Sequence, residues 1–274
     1  MSTPRVFIIR HGETEWSLNG RHTGSSDIPL TANGEQRVKA TGQAMIGSDR
    51  LIVPNQLAHI YVSPRTRAQR TFELLNIEPK DEDIGSLPWT RHGERIPKPA
   101  FSTNAGIEVT EDIREWDYGE YEGITTSGIR KMRAEQGIQG HWDIWKDGCV
   151  SGESPSDVTY RLDRLIKDIK DRFQRAAMAN DDVPGDVLVV AHGHILRALA
   201  MRWLGKSLSD GPTFLMEAGG VGTLRYVMTH ISCSSSSRNF QPFWWAKVFD
   251  HLRDGDLVRV ASHLHIVSGA FRGP

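Results

Sequence analysis

The sequence predicts an α/β fold in which helices flank a largely parallel sheet in three layers. Short runs of apolar, mostly β-branched residues stand at 6–9, 60–62 and 187–190, a pattern typical of strands buried on both faces. Segments with helical periodicity lie between these runs, and strands that alternate with helices favour a parallel sheet. The chain has 274 residues, which is enough for one such domain.

Three helices are predicted from start signals and from apolar spacing. One is expected to begin at Ser63-Pro64, where serine would cap the helix and proline would occupy its first turn. The clearest helical period follows Ser154-Pro155, since apolar residues recur every three or four positions through residues 158–173. A third helix is expected directly after His192-Gly193.

Domain organisation is predicted from changes in composition along the chain. Residues 1–225 are interpreted as the α/β domain, within which residues 76–108, rich in proline and charge, form a surface excursion. Residues 226–274 are interpreted as a divergent tail, because a serine run and the sequence Phe243-Trp244-Trp245 replace the α/β pattern. The tail is either an extension that packs or binds a partner, or an error in the gene model.

Charge and cysteine content exclude several classes of protein. The formal net charge is -1, so neither nucleic acid nor an anionic membrane is an expected partner. The two cysteines, Cys149 and Cys233, lack metal-ligand spacing and cannot build a disulfide framework. No apolar run reaches membrane-spanning length, and the N-terminus lacks a signal-peptide core. We therefore expect a cytoplasmic protein, and the sequence leaves open whether it forms a homo-oligomer.

Cations and histidines follow all three predicted strands. Arg10-His11-Gly12 comes after the first strand, Arg67 stands shortly after the second, and His192-Gly193-His194 comes after the third. Ligands of open α/β sheets bind at the carboxyl ends of the strands. Helix N-terminal N–H groups at two of these turns would add further affinity for phosphate. The sequence thus predicts a phosphate pocket built without a metal or a phosphate-binding glycine loop.

These residue types suit phosphoryl transfer through a covalent intermediate. A histidine such as His11 can attack phosphorus, which divides a hard hydrolysis into two easier steps. Arginines spread positive charge over the oxygens of the transferring group. A carboxylic acid must protonate the leaving oxygen, and Glu115 is the candidate. No metal or cofactor is expected.

The motifs resemble those of the histidine phosphatase superfamily, the phosphoglycerate mutase-like proteins. Arg10-His11-Gly12 matches the superfamily signature, and the resemblance extends over residues 5–224. Further motifs occur in the family's order: Thr23-Gly24, Leu30-Thr31, Arg67-Ala68 before Thr71, Glu115 before Tyr118-Gly119, Glu122-Gly123 and His192-Gly193-His194. The resemblance implies a phosphoglycerate mutase-like fold with His11 as nucleophile. It also implies a phosphate pocket of Arg10, Arg67 and His192, with Glu115 as proton donor.

Within the superfamily, the chain resembles the sedoheptulose-1,7-bisphosphatase branch found in fungi. The matching stretches are residues 114–123, Trp145-Lys146-Asp147-Gly148-Cys149 with Gly152-Glu153, and residues 192–197. This resemblance implies substrate contacts from Tyr118, Gly193 and Arg197, and from backbone groups of Thr23 and Gly24. The implied activity is metal-independent hydrolysis of a phosphoric monoester, namely a small sugar phosphate such as sedoheptulose 1,7-bisphosphate.

Several residues invite a simpler interpretation. Arg91-His92-Gly93-Glu94 repeats the signature, but no strand precedes it, so we treat it as a coincidence on a surface loop. His194 is interpreted as a packed histidine rather than a metal ligand. Arg65 and Arg70 are interpreted as solvated helix charges, and Arg70 occupies a position where the family pattern predicts glutamine. Two aromatics, Trp142 and Trp145, are expected to belong to the core or to cover the pocket.

Two other functions share most of these features. A phosphoglycerate mutase needs the same phosphohistidine but returns the phosphoryl group to bound substrate instead of to water. A non-catalytic protein that binds a phosphorylated ligand would keep the pocket, although an intact set of candidate catalytic residues argues against it.

Overall fold

The computed structural model describes residues 3–79, 87–89, 101–212, 214–228 and 242–249. The strands of this part of the chain are β1 (Arg5–Arg10), β2 (Leu57–Val62), β3 (Ile77–Pro79), β4 (Phe101–Thr103), β5 (Gly106–Val109), β6 (Asp186–Ala191), β7 (Val221–Met228) and β8 (Pro242–Phe249). The α-helices are α1 (Glu15–Asn19), α2 (Ala32–Met45), α3 (Thr66–Leu74), α4 (Thr126–Glu135), α5 (Ile144–Asp147), α6 (Pro155–Ile169), α7 (Arg175–Ala179) and α8 (Gly193–Trp203). A π-helical turn, Lys170–Gln174, joins α6 to α7. Among the described residues, no helix is long and apolar enough to cross a membrane.

Six of the described strands form one sheet in the order β5-β2-β6-β1-β7-β8. The four strands from β5 to β1 are parallel to their neighbours, whereas β7 is antiparallel to β1 and β8 is antiparallel to β7. The three strands predicted from the apolar runs are β1, β2 and β6, and they are adjacent in this sheet. The predicted α/β class with a largely parallel sheet is confirmed.

Alternate residues of the central strands belong to two separate apolar clusters. Val6 and Ile8 of β1 pack in the cluster that contains Leu162 of α6 and Leu196 of α8. The cluster on the opposite face contains Phe7 and Ile9 with Val38 of α2 and Phe72 of α3. Because successive strand side chains point to opposite faces, the sheet is covered on both sides. This arrangement is the predicted three-layer architecture.

Helix α3 begins later than the sequence predicted. The helix starts at Thr66, and Ser63 makes no cap hydrogen bond to it. The Thr66 N–H instead donates to the carboxylate of Asp27 at 2.9 Å, while the buried Ser63 hydroxyl contacts His192. The prediction failed because a tertiary contact uses the serine hydroxyl. The helices after Ser154 and His192 are confirmed as α6 and α8.

Two regions differ from the predicted domain organisation. Strand β5 falls inside the expected surface excursion but pairs in parallel with β2 at the edge of the main sheet. The predicted tail begins inside β7, and β8 pairs antiparallel with β7. Both strands were missed because neither is a continuous β-branched apolar run like those of the central strands. The rest of the excursion and tail lies largely outside the described residues, and its interpretation remains a prediction.

Candidate active site

The site is a cavity of about 170 Å³ at the edge of the sheet where β1 and β6 end. Its walls are formed by Arg10, His11, Thr14, Ser17, Gly20, Arg21, His22, Thr23, Glu115, Tyr118, Gly193, His194 and Arg197. Seven of the residues predicted for the site are therefore in one cavity wall, although they come from segments far apart in sequence. His192 and Arg67 are fully buried behind this wall.

His11 is held at the end of β1 with one ring nitrogen engaged. Its backbone N–H donates to the carbonyl of Ala191 at 2.9 Å, and its ring Nδ1 is 2.7 Å from the carbonyl oxygen of Gly12. A carbonyl can only accept, so Nδ1 carries the hydrogen and Nε2 carries the lone pair. Burial lowers the pKa of His11 well below its ordinary value, and the charges of Arg67 and Arg10 lower it further. The ring is therefore a neutral imidazole with a nucleophilic Nε2.

His192 lies beside His11, with 5.1 Å between the ring centroids. Its Nε2 is 2.6 Å from the hydroxyl of Ser63 at the end of β2. Burial, followed by the charge of Arg67, lowers the pKa of His192 well below its ordinary value. The other ring nitrogen, Nδ1, is buried without a hydrogen-bond partner in the described protein.

Arg67 and Arg10 also have a buried side-chain nitrogen without a hydrogen-bond partner in the described protein. Arg67 donates from its terminal nitrogens to the carbonyls of Ser26 and Thr23, each at 2.9 Å. Arg10 donates to the carbonyl of Met216 at 2.7 Å. Each keeps a buried Nε without a partner in the described protein. Together with Nδ1 of His192, these nitrogens form a set of unsatisfied polar groups around His11, and burial of such groups is costly unless a ligand bonds to them.

Gly193 permits the close approach of Arg10 to helix α8. A Cβ atom at this position would lie 3.2 Å from both Cζ and Nε of Arg10. The carbonyl of Gly193 also accepts a hydrogen bond from Nε of Arg197 at 3.0 Å. Gly193 lies in the cavity wall, and its contact with substrate stays a prediction.

The loop that contains Thr23 and Gly24 supports Arg67. The N–H groups of Gly24 and Ser26 both donate to the carboxylate of Glu122, at 2.9 to 3.0 Å. The carbonyls of this loop then accept hydrogen bonds from Arg67. The N–H of Gly24 is therefore bonded inside the protein, and the expected substrate contact of the Gly24 backbone stays a prediction. Thr23 does line the cavity.

Glu115 lies at the N-terminus of α8. Its carboxylate accepts hydrogen bonds from the N–H groups of Trp116, His194 and Ile195 at 2.9 to 3.1 Å. This placement brings Glu115 next to the turn that contains His192 and His194. First-turn N–H groups of His194 in α8 and of Thr66 in α3 donate to Glu115 and Asp27, so these two groups are bonded inside the protein. Binding of phosphate by the other N–H groups of these turns stays a prediction.

A buried ion pair holds the segment that contains Glu115. The guanidinium of Arg161 donates to both carboxylate oxygens of Glu153 at 2.8 and 2.9 Å, and to the carbonyls of Asp112 and Arg114. The carboxylate of Glu153 in turn accepts the N–H of Asp117 at 3.0 Å. The backbone on either side of Glu115 is therefore fixed from helix α6.

The two tryptophans and two arginines that were given a simpler interpretation lie in the core or outside the cavity wall. Trp142 and Trp145 are buried, as expected for core or cover, and Trp145 packs against the guanidinium of Arg197. Arg65 and Arg70 do not line the cavity. The guanidinium of Arg70 pairs with Glu35 and Glu73, which accounts for arginine at the position where glutamine was expected.

Sequence reasoning missed four residues that build the site. Ser63 was expected to cap a helix, Glu122 stands in a motif without an assigned role, and Asp27 and His22 show no functional spacing. Each acts through a partner that is distant in the chain, as Ser63 does through His192. The second copy of the signature, at residues 91–94, lies outside the described residues.

The two neutral histidines lead to a measurable expectation. Side-chain nitrogens of His11 and His192 should give the NMR shifts of neutral imidazole at pH 6, below the ordinary histidine pKa of about 6.5, because burial and nearby arginines disfavour the charged ring. Inorganic phosphate should move both titrations to higher pH, since an anion favours imidazolium. Titration midpoints at or above about 6.5 without phosphate would contradict this electrostatic account.

This fold is that of the histidine phosphatases. The chain belongs to the histidine phosphatase superfamily, branch 1, whose family model matches residues 6–85 and 98–236. The match continues past Leu224, where the recognised motifs end. A solved structure of an open reading frame from Mycobacterium tuberculosis has a TM-score of 0.55 and 27% sequence identity, covering 88% of this chain and 96% of that chain.

Relatives of the chain include phosphatases and mutases. A sedoheptulose 1,7-bisphosphatase from Saccharomyces cerevisiae is 32% identical over 263 residues, covering 84% of this chain and 90% of the relative. An acid phosphatase from Mycobacterium tuberculosis is 32% identical over 219 residues, covering 80% and 84%. A 2,3-bisphosphoglycerate-dependent phosphoglycerate mutase from Mesorhizobium japonicum is 26% identical over 207 residues, covering 74% and 82%.

Proposed function

We propose that the protein is a phosphatase that hydrolyses a small sugar phosphate through a phosphohistidine at His11. The proposal rests on one observation. A neutral histidine, whose free nitrogen is Nε2, lies near three side chains that each have a buried nitrogen without a partner in the described protein: Arg10, Arg67 and His192. A phosphoryl group bonded to His11 would accept hydrogen bonds from all three.

The reaction has two steps at this site. In the first, Nε2 of His11 attacks phosphorus, and the ester oxygen leaves with a proton from the carboxylic acid of Glu115. In the second, Glu115 takes a proton from water, which attacks the phosphohistidine. The P–N bond breaks, and inorganic phosphate and neutral His11 are released. Arg10, Arg67 and His192 offset the negative charge of the transferring group in both steps.

Sedoheptulose 1,7-bisphosphate is the substrate we propose. The Saccharomyces cerevisiae relative of that name is similar over most of both chains. The cavity beyond His11 contains Arg21 and Arg197, cations that suit a second phosphate, and its volume of about 170 Å³ fits a small molecule.

A phosphoglycerate mutase is the second candidate, since mutases are among the relatives. The two activities share the phosphohistidine and differ in the acceptor of the phosphoryl group. A mutase would convert 3-phosphoglycerate to its isomer without net release of phosphate, whereas a phosphatase would release phosphate from its best substrate.

A phosphate-release screen over sugar bisphosphates, sugar monophosphates and phosphoglycerates tests the proposal. Release is expected to be fastest with a sugar bisphosphate and to be unchanged in EDTA, because arginines and histidines supply the positive charge. The described residues also contain no group of three or more side chains that could hold a metal ion. Activity that is lost in EDTA and restored by Mg²⁺ would overturn metal independence, and isomer formation without phosphate release would favour the mutase.

A further inference from the structure

His194 has a side chain that neither the sequence interpretation nor the proposed reaction uses. It was expected to be a packed histidine, yet it forms part of the cavity wall. The rings of His22, Tyr118 and Trp145 surround it at centroid distances of 5.5 to 5.9 Å. Its orientation is therefore restrained by packing on several sides.

One hydrogen bond determines which nitrogen of His194 carries the hydrogen. The Tyr118 hydroxyl is 2.8 Å from Nδ1 of His194, and Tyr118 is buried, with 1% of its surface exposed. A buried hydroxyl hydrogen without an acceptor is costly, so Tyr118 donates and Nδ1 accepts. Burial lowers the pKa of His194 and raises that of Tyr118, which keeps both groups neutral. Nε2 of His194 is then an N–H donor.

His194 lies beside Glu115, on the side of the cavity where the leaving group would be. Its backbone N–H donates to Glu115 at 3.1 Å, and Arg197 follows it on the same helix. In the proposed reaction Glu115 contacts the ester oxygen, so groups beside Glu115 face the alcohol part of the substrate rather than the transferring phosphoryl group. Nε2 of His194 has no bond to another described residue, and the side chain borders the cavity.

We propose that His194 is a specificity-determining residue whose Nε2–H binds an oxygen of the sugar leaving group, and that Tyr118 is a positioning residue that holds His194 in this tautomer. The inference rests on the proposed function and adds the basis of its substrate preference. It predicts selection of polyhydroxylated phosphate esters over esters whose leaving group has no acceptor at that place.

Kinetics of side-chain variants test the inference. His194→Leu keeps the backbone N–H that bonds Glu115 but removes the donor. It should lower kcat/KM for a sugar bisphosphate by roughly 10–100-fold, and the loss with p-nitrophenyl phosphate should be at least about tenfold smaller. His194→Gln, whose amide can place an N–H near the same point, should recover most of the loss. Equal losses on both substrates, or none on either, would overturn the inference.

Tyr118→Phe and a control complete the kinetic test. Tyr118→Phe should cause a smaller, substrate-dependent loss, and its combination with His194→Leu should be no worse than His194→Leu alone, because the tyrosine acts through the histidine. His59→Leu is the matched control, since His59 also packs against a tyrosine, Tyr61, but lies outside the cavity wall. Its effect should not depend on the substrate. Additive losses in the double variant would refute the positioning role.

A binding measurement separates failure of this inference from failure of the proposed function. In His11→Ala protein, which cannot form the phosphohistidine, sedoheptulose 1,7-bisphosphate should shift the NMR signal of His194 Nε2–H, and inorganic phosphate should not. Phosphate release by the wild type without this selective shift would overturn the inference and leave the proposed function intact. A selective shift without hydrolysis of any ester would support the inference and remove the proposed function.

Discussion

His11→Ala is expected to lower kcat by at least about 10³-fold, as removal of a covalent nucleophile does. The reason is specific to this site. Nδ1 of His11 is bonded to Gly12 and the lone pair is on Nε2. In the proposed site His192 cannot replace it, because its Nε2 is bonded to Ser63 and its Nδ1 donates to the phosphoryl group. Rapid quenching of the wild type with radiolabelled substrate should give an acid-labile label on His11, and the variant should give none.

His92→Ala is the matched control for this substitution. His92 stands in the second Arg-His-Gly-Glu sequence of the chain, so the two variants remove the same residue from the same local motif. His92→Ala should retain the label and turnover close to that of the wild type. Near-normal turnover by folded His11→Ala protein, or a label that depends on His92, would refute the proposed mechanism.

Glu115→Gln is expected to lower kcat by roughly 10²–10⁴-fold on a sugar phosphate, the usual contribution of a general acid. The loss should be much smaller with p-nitrophenyl phosphate, because nitrophenolate leaves without a proton. Both substrates use the same phosphate pocket, so damage to the pocket would lower kcat equally for both. A larger loss with the sugar phosphate therefore reports the missing proton transfer. The measurement is single-turnover formation of the phosphohistidine from each substrate.

Structural damage by this substitution needs its own control. Both oxygens of Glu115 accept backbone N–H groups, so an amide NH₂ would face at least one donor and cost stability. The melting temperature of Glu115→Gln should be compared with that of Glu120→Gln, which changes an exposed glutamate nearby. Equal kinetic losses on both substrates would show that Glu115 acts as a structural group.

The sequence alone was sufficient to predict the fold class and the edge of the sheet at which the candidate site lies. The β-branched runs of β1, β2 and β6 are local signals, because strands buried on both faces need continuous apolar sequence. His11, Arg67 and His192 directly or closely follow those runs, so their meeting at one edge follows from the parallel topology. The motif order identified the family, and the family model agrees.

Only the tertiary structure decided how the polar groups of the site are used. Ser63 was predicted to cap a helix, but its hydroxyl contacts His192. The backbone of Gly24 was predicted to contact substrate, and its N–H donates to Glu122. Helix N-terminal N–H groups were predicted to favour phosphate, and two of them in α8, those of His194 and Ile195, donate to Glu115. The physical reason is the same in each case: a buried polar group must find a partner, and that partner is decided by the packing of segments far apart in sequence.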